Sequence, residues 1–235
     1  MSSSAVIKRD TLYRNLEELI QRVEAARIKR DMHHIVKLVV VGKYTGIENI
    51  KTLYDLGQRA FGENQVQQLE ERSIALSEIP VEWHMIGHLQ KNKINKLIDL
   101  SPALLHSLDS LDLAEALDKR LRNKDRAMNC LLQINSARED SKRGVDPDRA
   151  IDIYSQIAES FPRISLKGVM SIGAHSDDTA LVRKSFEKTY DIFETLQKSH
   201  KAAICSMGMS GDFELAIECG SNMLRIGSLL FRQDR

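Results

Sequence analysis

Residues 39–46 read VVVGKYTG, and with Leu38 in front they open on four consecutive β-forming residues. Such a run lacks the apolar–polar alternation of a strand with one wet face. It describes a strand covered on both sides, as in a parallel sheet flanked by helices. The run then meets Gly42 and Lys43. Desolvating an ammonium is costly. Either the chain surfaces into a loop at Lys43, or the lysine is held at the strand end for a purpose. Lysine is a common surface residue, so this stretch alone leaves both open.

Working outward, the pattern alternates. Residues 5–29 are expected to be helical, with Leu12, Leu16, Leu19, Ile20 and Val23 on one face. The opening strand covers about 35–43, followed by a helix over 47–57 that stops at Gly57. RAFGEN is a short second strand running into a helix over about 64–78. VEWHMIG is the third strand, with a helix near 91–99 behind it. LLHSLD is the fourth, and Asp109 or Ser110 caps the next helix. NCLLQIN is the fifth, and Pro147 suits the first turn of the helix after it. ISLKGVMSI is the sixth, followed by a long helix carrying Val182, Phe186, Tyr190, Phe193 and Leu196. AAICSMG is the seventh, with a helix over about 210–218, and NMLRIGS is the eighth.

Eight apolar strands alternating with helices predict an α/β fold with a parallel sheet. A doubly wound open sheet competes. The count of eight and the length of 235 residues favour a single (β/α)8 TIM barrel, with residues 1–235 as one domain. No full helix follows the eighth strand, so the N-terminal helix is expected to complete the outer ring. No linker, low-complexity segment or internal repeat interrupts the pattern.

Composition narrows the function. There are 34 basic and 33 acidic residues and no polybasic arm, so nucleic acid and membrane surfaces are unsupported as partners. Cys130, Cys205 and Cys219 have no CxxC spacing, which speaks against zinc or a disulfide framework. The N-terminal MSSSAVIKRD has no apolar signal core, and no stretch approaches a membrane span. A cytoplasmic location is the expectation.

Active sites of such barrels gather at the carboxyl ends of the strands. Those ends offer Lys43; Gly62-Glu63-Asn64; His84 with Gly87-His88; His106-Ser107; Asn135-Ser136; Met170-Ser171; Ser206 to Gly211; and Arg225-Ile226-Gly227-Ser228. Barrels commonly bind phosphate in the loops after strands seven and eight. Ser206, Ser210 and Gly211 in one loop, and Gly227 and Ser228 in the other, supply hydroxyls and approachable backbone N–H groups. A lysine across the mouth from a phosphate cup suits pyridoxal phosphate, which needs an amine for an aldimine and a partner for its ring nitrogen. Arg225 stands two residues before Gly227, so both lean to one side of the strand, and it can point at that ring. The competing role for Arg225 is a rim ion pair. Glu63, Asn64 and His84 are candidates to orient the ring; for His84 a hydrogen-bonded core histidine is equally compatible. Met170 and Met207, at the ends of strands six and seven, join the candidate contacts. The lysines of KNKINK, 91–96, and Lys142 could guide an anion, although such a run is more often a solvated face.

These stretches resemble a known family. VVVGKY, RAFGENQVQQ, EWHMIGHLQKNK, HSLDS, LLQINSAREDSKRGV, LKGVMSIG and CSMGMSGDFELAIECGSNMLRIGSLLF follow, in order, the pattern of the pyridoxal phosphate homeostasis proteins. Those proteins are also described as alanine-racemase-like N-terminal domains. The resemblance covers about residues 36–231. It implies a fold-type III barrel with pyridoxal 5'-phosphate as an internal aldimine on Lys43. It implies Arg225 near the pyridine nitrogen and Ser206, Gly227 and Ser228 at the phosphate. It further implies a cytosolic monomer that buffers and delivers cofactor, with apo-enzymes as recipients and little or no catalysis. An amino-acid racemase is the alternative. A racemase of this fold needs a second acid/base, usually from another domain or subunit, and only seven residues follow Ser228. A Schiff-base aldolase explains Arg225 and the phosphate cup less well. The chain departs from the pattern at Gly42 (usually serine), at Tyr44-Thr45-Gly46, at Gln65 (usually tyrosine), at Ser228 (usually threonine) and at Arg232 (usually glycine).

Overall fold

A computed structural model describes residues 6–43, 45–139 and 141–233. The chain enters through helix α1 (Arg9–Arg30). Strand β1 (Lys37–Val41) is followed by α2 (Ile47–Asp55), and β2 (Ala60–Glu63) by α3 (Val66–Ala75). After β3 (Glu82–Met85) a 3-10 turn (Lys91–Lys93) runs into α4 (Ile94–Leu100). Then come β4 (Leu104–Leu108), α5 (Leu111–Asn123), β5 (Met128–Ile134), α6 (Ala150–Ser160), β6 (Ile164–Ser171) and α7 (Thr179–His200). The last elements are β7 (Ile204–Ser206), α8 (Phe213–Glu218) and β8 (Met223–Ile226).

Each strand pairs parallel to the next, and β8 returns to β1, with Lys37 opposite Met223 and Val39 opposite Arg225. The closed (β/α)8 barrel expected from the sequence is therefore the architecture, and the open sheet is excluded. Ser110 rather than Asp109 caps α5, its hydroxyl accepting from Leu113 N–H at 3.2 Å. Pro147 sits in the turn before α6 rather than within the helix. The strands are shorter than their apolar runs: β1 ends at Val41, and Lys43 lies two residues beyond it in a turn.

Helix α1 packs between α8 and α2, where a helix after β8 would otherwise lie. Its stripe of Leu12, Leu16, Leu19, Val23 and Ala26 is buried against Ile50, Leu53, Phe213 and Ile217. Ile20 was expected on that face. It lies one residue, or about 100° of helix, from Leu19 and is 43% exposed. Asn15, buried on the same helix, donates to the carbonyls of Leu230 and Arg232 at 2.9 and 3.0 Å. Among the described residues, no helix is long and apolar enough to cross a membrane.

Inside the barrel the apolar layer is small: Val39, Ala60, Leu104, Leu131, Met170 and Met223. Much of the remaining interior is polar. Alternation along the strands turns His84, His106, Ser206 and Arg225 to the same side as this layer. All four are buried.

Candidate functional site

The Lys43 turn is held from beneath. Gly42 N–H extends the ladder to the Gly62 carbonyl at 3.1 Å, and Thr45 N–H closes the turn on the Gly42 carbonyl at 2.9 Å. Under this turn Arg72 of α3 pairs with Glu63 of β2 and donates from Nη2 to the Thr45 carbonyl at 2.7 Å. A Cβ on Gly42 would stand 2.5 Å from Glu63 Oε1 and 2.6 Å from Arg72 Nη1, so glycine lets the ion pair pass beneath the turn. That gives a physical reason for glycine where the resembling sequences usually carry serine. Asn49 Nδ2 holds Thr45 Oγ1 at 2.8 Å, and Asn49 Oδ1 accepts from Ile7 N–H at 2.9 Å. Lys43 itself is half-buried.

Glu63 does not face the barrel interior, as a ring-orienting role requires. It shares a side with Phe61, which packs in the outer layer. Burial pushes its carboxyl above the ordinary range, and Arg72 only partly offsets this. Its second oxygen has no hydrogen-bond partner among the described residues. Asn64, just past β2, is half-buried at the mouth. Its backbone packs so tightly on Gly87 that a Cβ there would meet the Asn64 carbonyl at 2.0 Å.

From β8, the strand beside β1, Arg225 reaches inward. Its Nη1 donates to Ser206 Oγ at 2.7 Å and its Nη2 to the Ser171 carbonyl at 2.8 Å. Both acceptors are neutral. Among the described residues no carboxylate forms an ion pair with it, and it is only 5% exposed. Burial brings the guanidinium down to about 10, partly offset by Asp212. It is therefore a cation at neutral pH, and not the rim ion pair that competed for it. Ser206, expected to face the phosphate, engages Arg225 and, at 3.3 Å, His106 Nδ1. His84 lies deeper than the mouth, with Nδ1 on His106 Nε2 at 2.8 Å and Nε2 on Glu82 at 2.9 Å. Both nitrogens are occupied, so His84 reaches a mouth ligand only through other side chains.

The loop after β8 turns on Gly227, whose carbonyl accepts from Leu230 N–H at 3.0 Å. The first N–H groups of such a turn have no partner within it. A Cβ on Gly227 would stand 2.9 Å from the Val41 carbonyl oxygen, so this loop lies against the strand that leads to Lys43. Ser228 is exposed and Ser210 half-buried. Met170 is buried in the interior layer, level with Ser206. Met207 turns the other way and packs between sheet and helices.

Of the other candidate lysines, Lys91, Lys96 and Lys142 have structural partners. Lys91 pairs with Asp112 and Lys96 with Glu70, both at 2.5 Å, while Lys93 is exposed. Lys142 clasps two loops through Glu139 at 2.8 Å and the Gly173 carbonyl at 2.6 Å. An open groove of about 800 Å³ lies beside Lys142, lined by Glu139, Lys142, His175, Arg183 and Asp212 among others. Of the residues singled out in the sequence, Gly211 and Lys142 line it, whereas Lys43, Asn64, His84, Ser206, Arg225, Gly227 and Ser228 do not. The buried polar side chains gather inside the barrel, with Arg225 reaching inward from β8 and Lys43 in the turn beyond the neighbouring β1, rather than in this groove.

Sequence reasoning missed Arg72 and Glu82, and had His106 and Ser171 only as strand-end residues. Arg72 was visible on the buried face of α3 at helical spacing from Val66, Leu69 and Leu76. Glu82 and His84 were visible as alternate residues of one strand.

The sequence model of the family described as alanine racemase, N-terminal domain, matches residues 7–234. A Helicobacter pylori (strain J99) protein named pyridoxal phosphate homeostasis protein is 52% identical over 218 residues, covering 93% of this chain and 97% of that one. The structure of PipY from Synechococcus elongatus PCC7942 with PLP bound superposes with a TM-score of 0.79 at 28% identity, covering 94% of this chain and all of that one. An alanine racemase from Clostridium difficile shares the fold at 15% identity and a TM-score of 0.75, and the chain spans 57% of its length. The chain belongs to the alanine racemase N-terminal domain family, among the pyridoxal phosphate homeostasis proteins.

Proposed function

We propose that this protein binds pyridoxal phosphate in the barrel mouth, carries it covalently on Lys43, and holds and supplies the cofactor rather than turning over amino acids. One observation carries the reading: Arg225 is a buried cation with neutral hydrogen-bond acceptors and, among the described residues, no carboxylate in an ion pair with it, turned toward the interior below the mouth. Burying an unpaired charge is costly unless a ligand completes it. A phosphorylated ring with an acceptor nitrogen would do so, and a relative's structure with PLP bound supports that choice. The glycine-led turn at 227–230, beside the strand leading to Lys43, fits a phosphate.

Lys43 would supply the primary amine, held in place by the Arg72–Glu63 pair under its turn. Gly227, Ser228 and Ser210 would take the phosphate, Arg225 the ring nitrogen, and Asn64 and Met170 the flanks. Ser206 and His84 would act through Arg225, and Met207 only through its backbone. Pyridoxal phosphate supplies an aldehyde that condenses with amines and a ring that accepts electrons. A guanidinium donates and does not accept, so Arg225 would keep the ring nitrogen unprotonated and weaken that electron demand. Proton transfer on two faces of a substrate carbon needs a second acid/base opposite Lys43. Tyr13, Tyr54, Tyr154 and Tyr190 all lie on helices of the outer ring, and burial pushes the Tyr154 phenol up to about 12. Tyr44 lies outside the described residues. These points favour a carrier over a racemase; the carrier we propose is a cytoplasmic monomer, with apo-enzymes that use the cofactor as recipients.

The test is borohydride reduction of protein loaded with pyridoxal phosphate, followed by peptide mass mapping. The pyridoxyl group is expected on the peptide carrying Lys43. An adduct confined to Lys91, Lys93 or Lys142 rejects the assignment. Lysine-dependent racemization of amino acids at about 1 per second or faster rejects the carrier role.

A further inference from the structure

Five side chains form one unbroken row through the barrel. Arg225 Nη1 meets Ser206 Oγ at 2.7 Å, and Ser206 Oγ meets His106 Nδ1 at 3.3 Å. His106 Nε2 meets His84 Nδ1 at 2.8 Å, and His84 Nε2 meets Glu82 Oε1 at 2.9 Å. Glu82 is the first residue of β3, and its other partner is Lys37, the first residue of β1, at 2.5 Å. Strands enter at the floor of the barrel and leave at its mouth, so the row crosses the interior from floor to mouth.

The chemistry of the two ends fixes the direction of every bond. A guanidinium only donates, so Ser206 Oγ accepts from Arg225. A carboxylate only accepts, so the hydrogen of His84 is on Nε2 and its Nδ1 is a lone pair. His106 must then donate from Nε2, which leaves its Nδ1 as acceptor for the one hydrogen of Ser206. With both rings neutral, each polar atom of the row is satisfied in this sense. Adding a proton to His84 would reverse the middle bonds and give Ser206 two donors, leaving its own hydrogen without an acceptor in the row. His84, His106 and Ser206 are at most 1% exposed, so bulk water does not supply one.

We infer that Glu82, His84 and His106 are positioning residues for Arg225: by fixing the two ring tautomers, they aim the Ser206 lone pair at the guanidinium and lock its orientation at the mouth. The Ser171 carbonyl fixes the second guanidinium nitrogen, and the Ser171 hydroxyl is held by Thr189 of α7 at 2.9 Å. A carboxylate on the floor thus sets the geometry of a cation at the opposite end. The consequence for cofactor binding rests on the function proposed above; the tautomers and the order of Arg225 do not.

The test therefore starts without cofactor. Long-range nitrogen–proton correlation spectra assign the tautomers, with the other five histidines changed in turn to glutamine to identify signals. Wild type should show neutral Nε2–H rings for both His84 and His106 at neutral pH. An Nδ1–H ring at His106, or a charged His84, overturns the inference. Glu82→Leu removes the acceptor, while Glu82→Gln keeps one. The leucine variant should lose the single tautomer and show faster exchange of the Arg225 guanidinium protons. The glutamine variant should restore most of both. Lys37→Met removes the same floor ion pair as Glu82→Leu but leaves the row intact, so it should behave as wild type. Equal guanidinium exchange in wild type and Glu82→Leu, or equal loss in Lys37→Met, overturns the positioning role. With pyridoxal phosphate added, Glu82→Leu should bind about tenfold more weakly, the loss of one charge-assisted hydrogen bond's worth of order. Wild type that takes up no pyridoxal phosphate would defeat the proposed function while leaving the tautomer and exchange results to decide this inference.

Discussion

Replacing Arg72 with methionine isolates the support beneath the Lys43 turn. The side chain of Glu63 is fully buried and that of Arg72 is 10% exposed, and Arg72 also carries the Thr45 carbonyl. Methionine nearly matches the aliphatic volume but leaves Glu63 buried without a counter-charge. Breaking a buried pair from one side costs about 3–5 kcal/mol. In a protein of this size about 1 kcal/mol moves the midpoint by roughly 2–4 °C, so a fall of about 6–20 °C is expected by calorimetry. The double variant Arg72→Met/Glu63→Gln should recover at least about 2 kcal/mol of that loss, because no buried charge remains. The pH dependence has a definite sign. Burial raises the Glu63 carboxyl above its unfolded value even with Arg72 present, and more so without it. A raised carboxyl favours the fold below its unfolded value, and that contribution is lost as pH climbs through the raised one. The single variant should therefore close much of its gap to wild type in acid. If Arg72→Met stays within about 1 kcal/mol of wild type at neutral pH, or loses most in acid, the support is not ionic and the reasoning fails.

Lys43→Ala should fold with a midpoint near that of wild type and lose the borohydride-trapped pyridoxyl group; retention of the adduct elsewhere would show that another amine carries it. Deleting residues 1–30 uncovers the core beneath Leu12, Leu16, Leu19 and Val23, each worth roughly 1.5–3 kcal/mol before entropy. A marked fall in the unfolding midpoint is expected, and an unchanged midpoint would contradict the docking of α1. The hydrogen bond from His84, with help from Lys37, brings the Glu82 carboxyl down to about 2. A depressed carboxyl contributes stability above its unfolded value of about 4.3, lost as pH falls toward 2. Glu82→Gln should therefore flatten the acid limb of the stability profile, and an unchanged slope between those values would refute it.

The barrel was legible because the relevant signals are local. Each strand is a short apolar run between turn residues, each helix shows its own stripe, and the count decides between open and closed sheets. The place of α1 followed from a stripe with no other partner. What the sequence hid depends on phase and register. Glu63 looked like a mouth residue because it ends a strand, yet one step in the alternation turns it outward to Arg72. His84 looked like a ring contact until the register with β4 set it beside His106. Met207 and Ser206 are neighbours in sequence and opposite in facing. Arg72 was overlooked because a charge on an apolar helix face ordinarily extends its head to water, and only the buried carboxylate above it shows otherwise.

The hydrogen bonds from Asn15 to Leu230 and Arg232 join residues 215 and 217 positions apart. The pairing of β1 with β8 spans a similar distance. During synthesis α1 emerges before its chief partners exist. At ordinary elongation rates of about 5–20 residues per second, its apolar stripe waits roughly 10–40 s for α8 and the chain after β8. Nothing can seal the barrel in that interval, and β1 offers a bare pairing edge throughout. Closure is therefore a late event, and it waits until β8 and the residues that follow it have been made. The nascent chain, rather than the finished barrel, is the form most exposed to holdase chaperones and to aggregation.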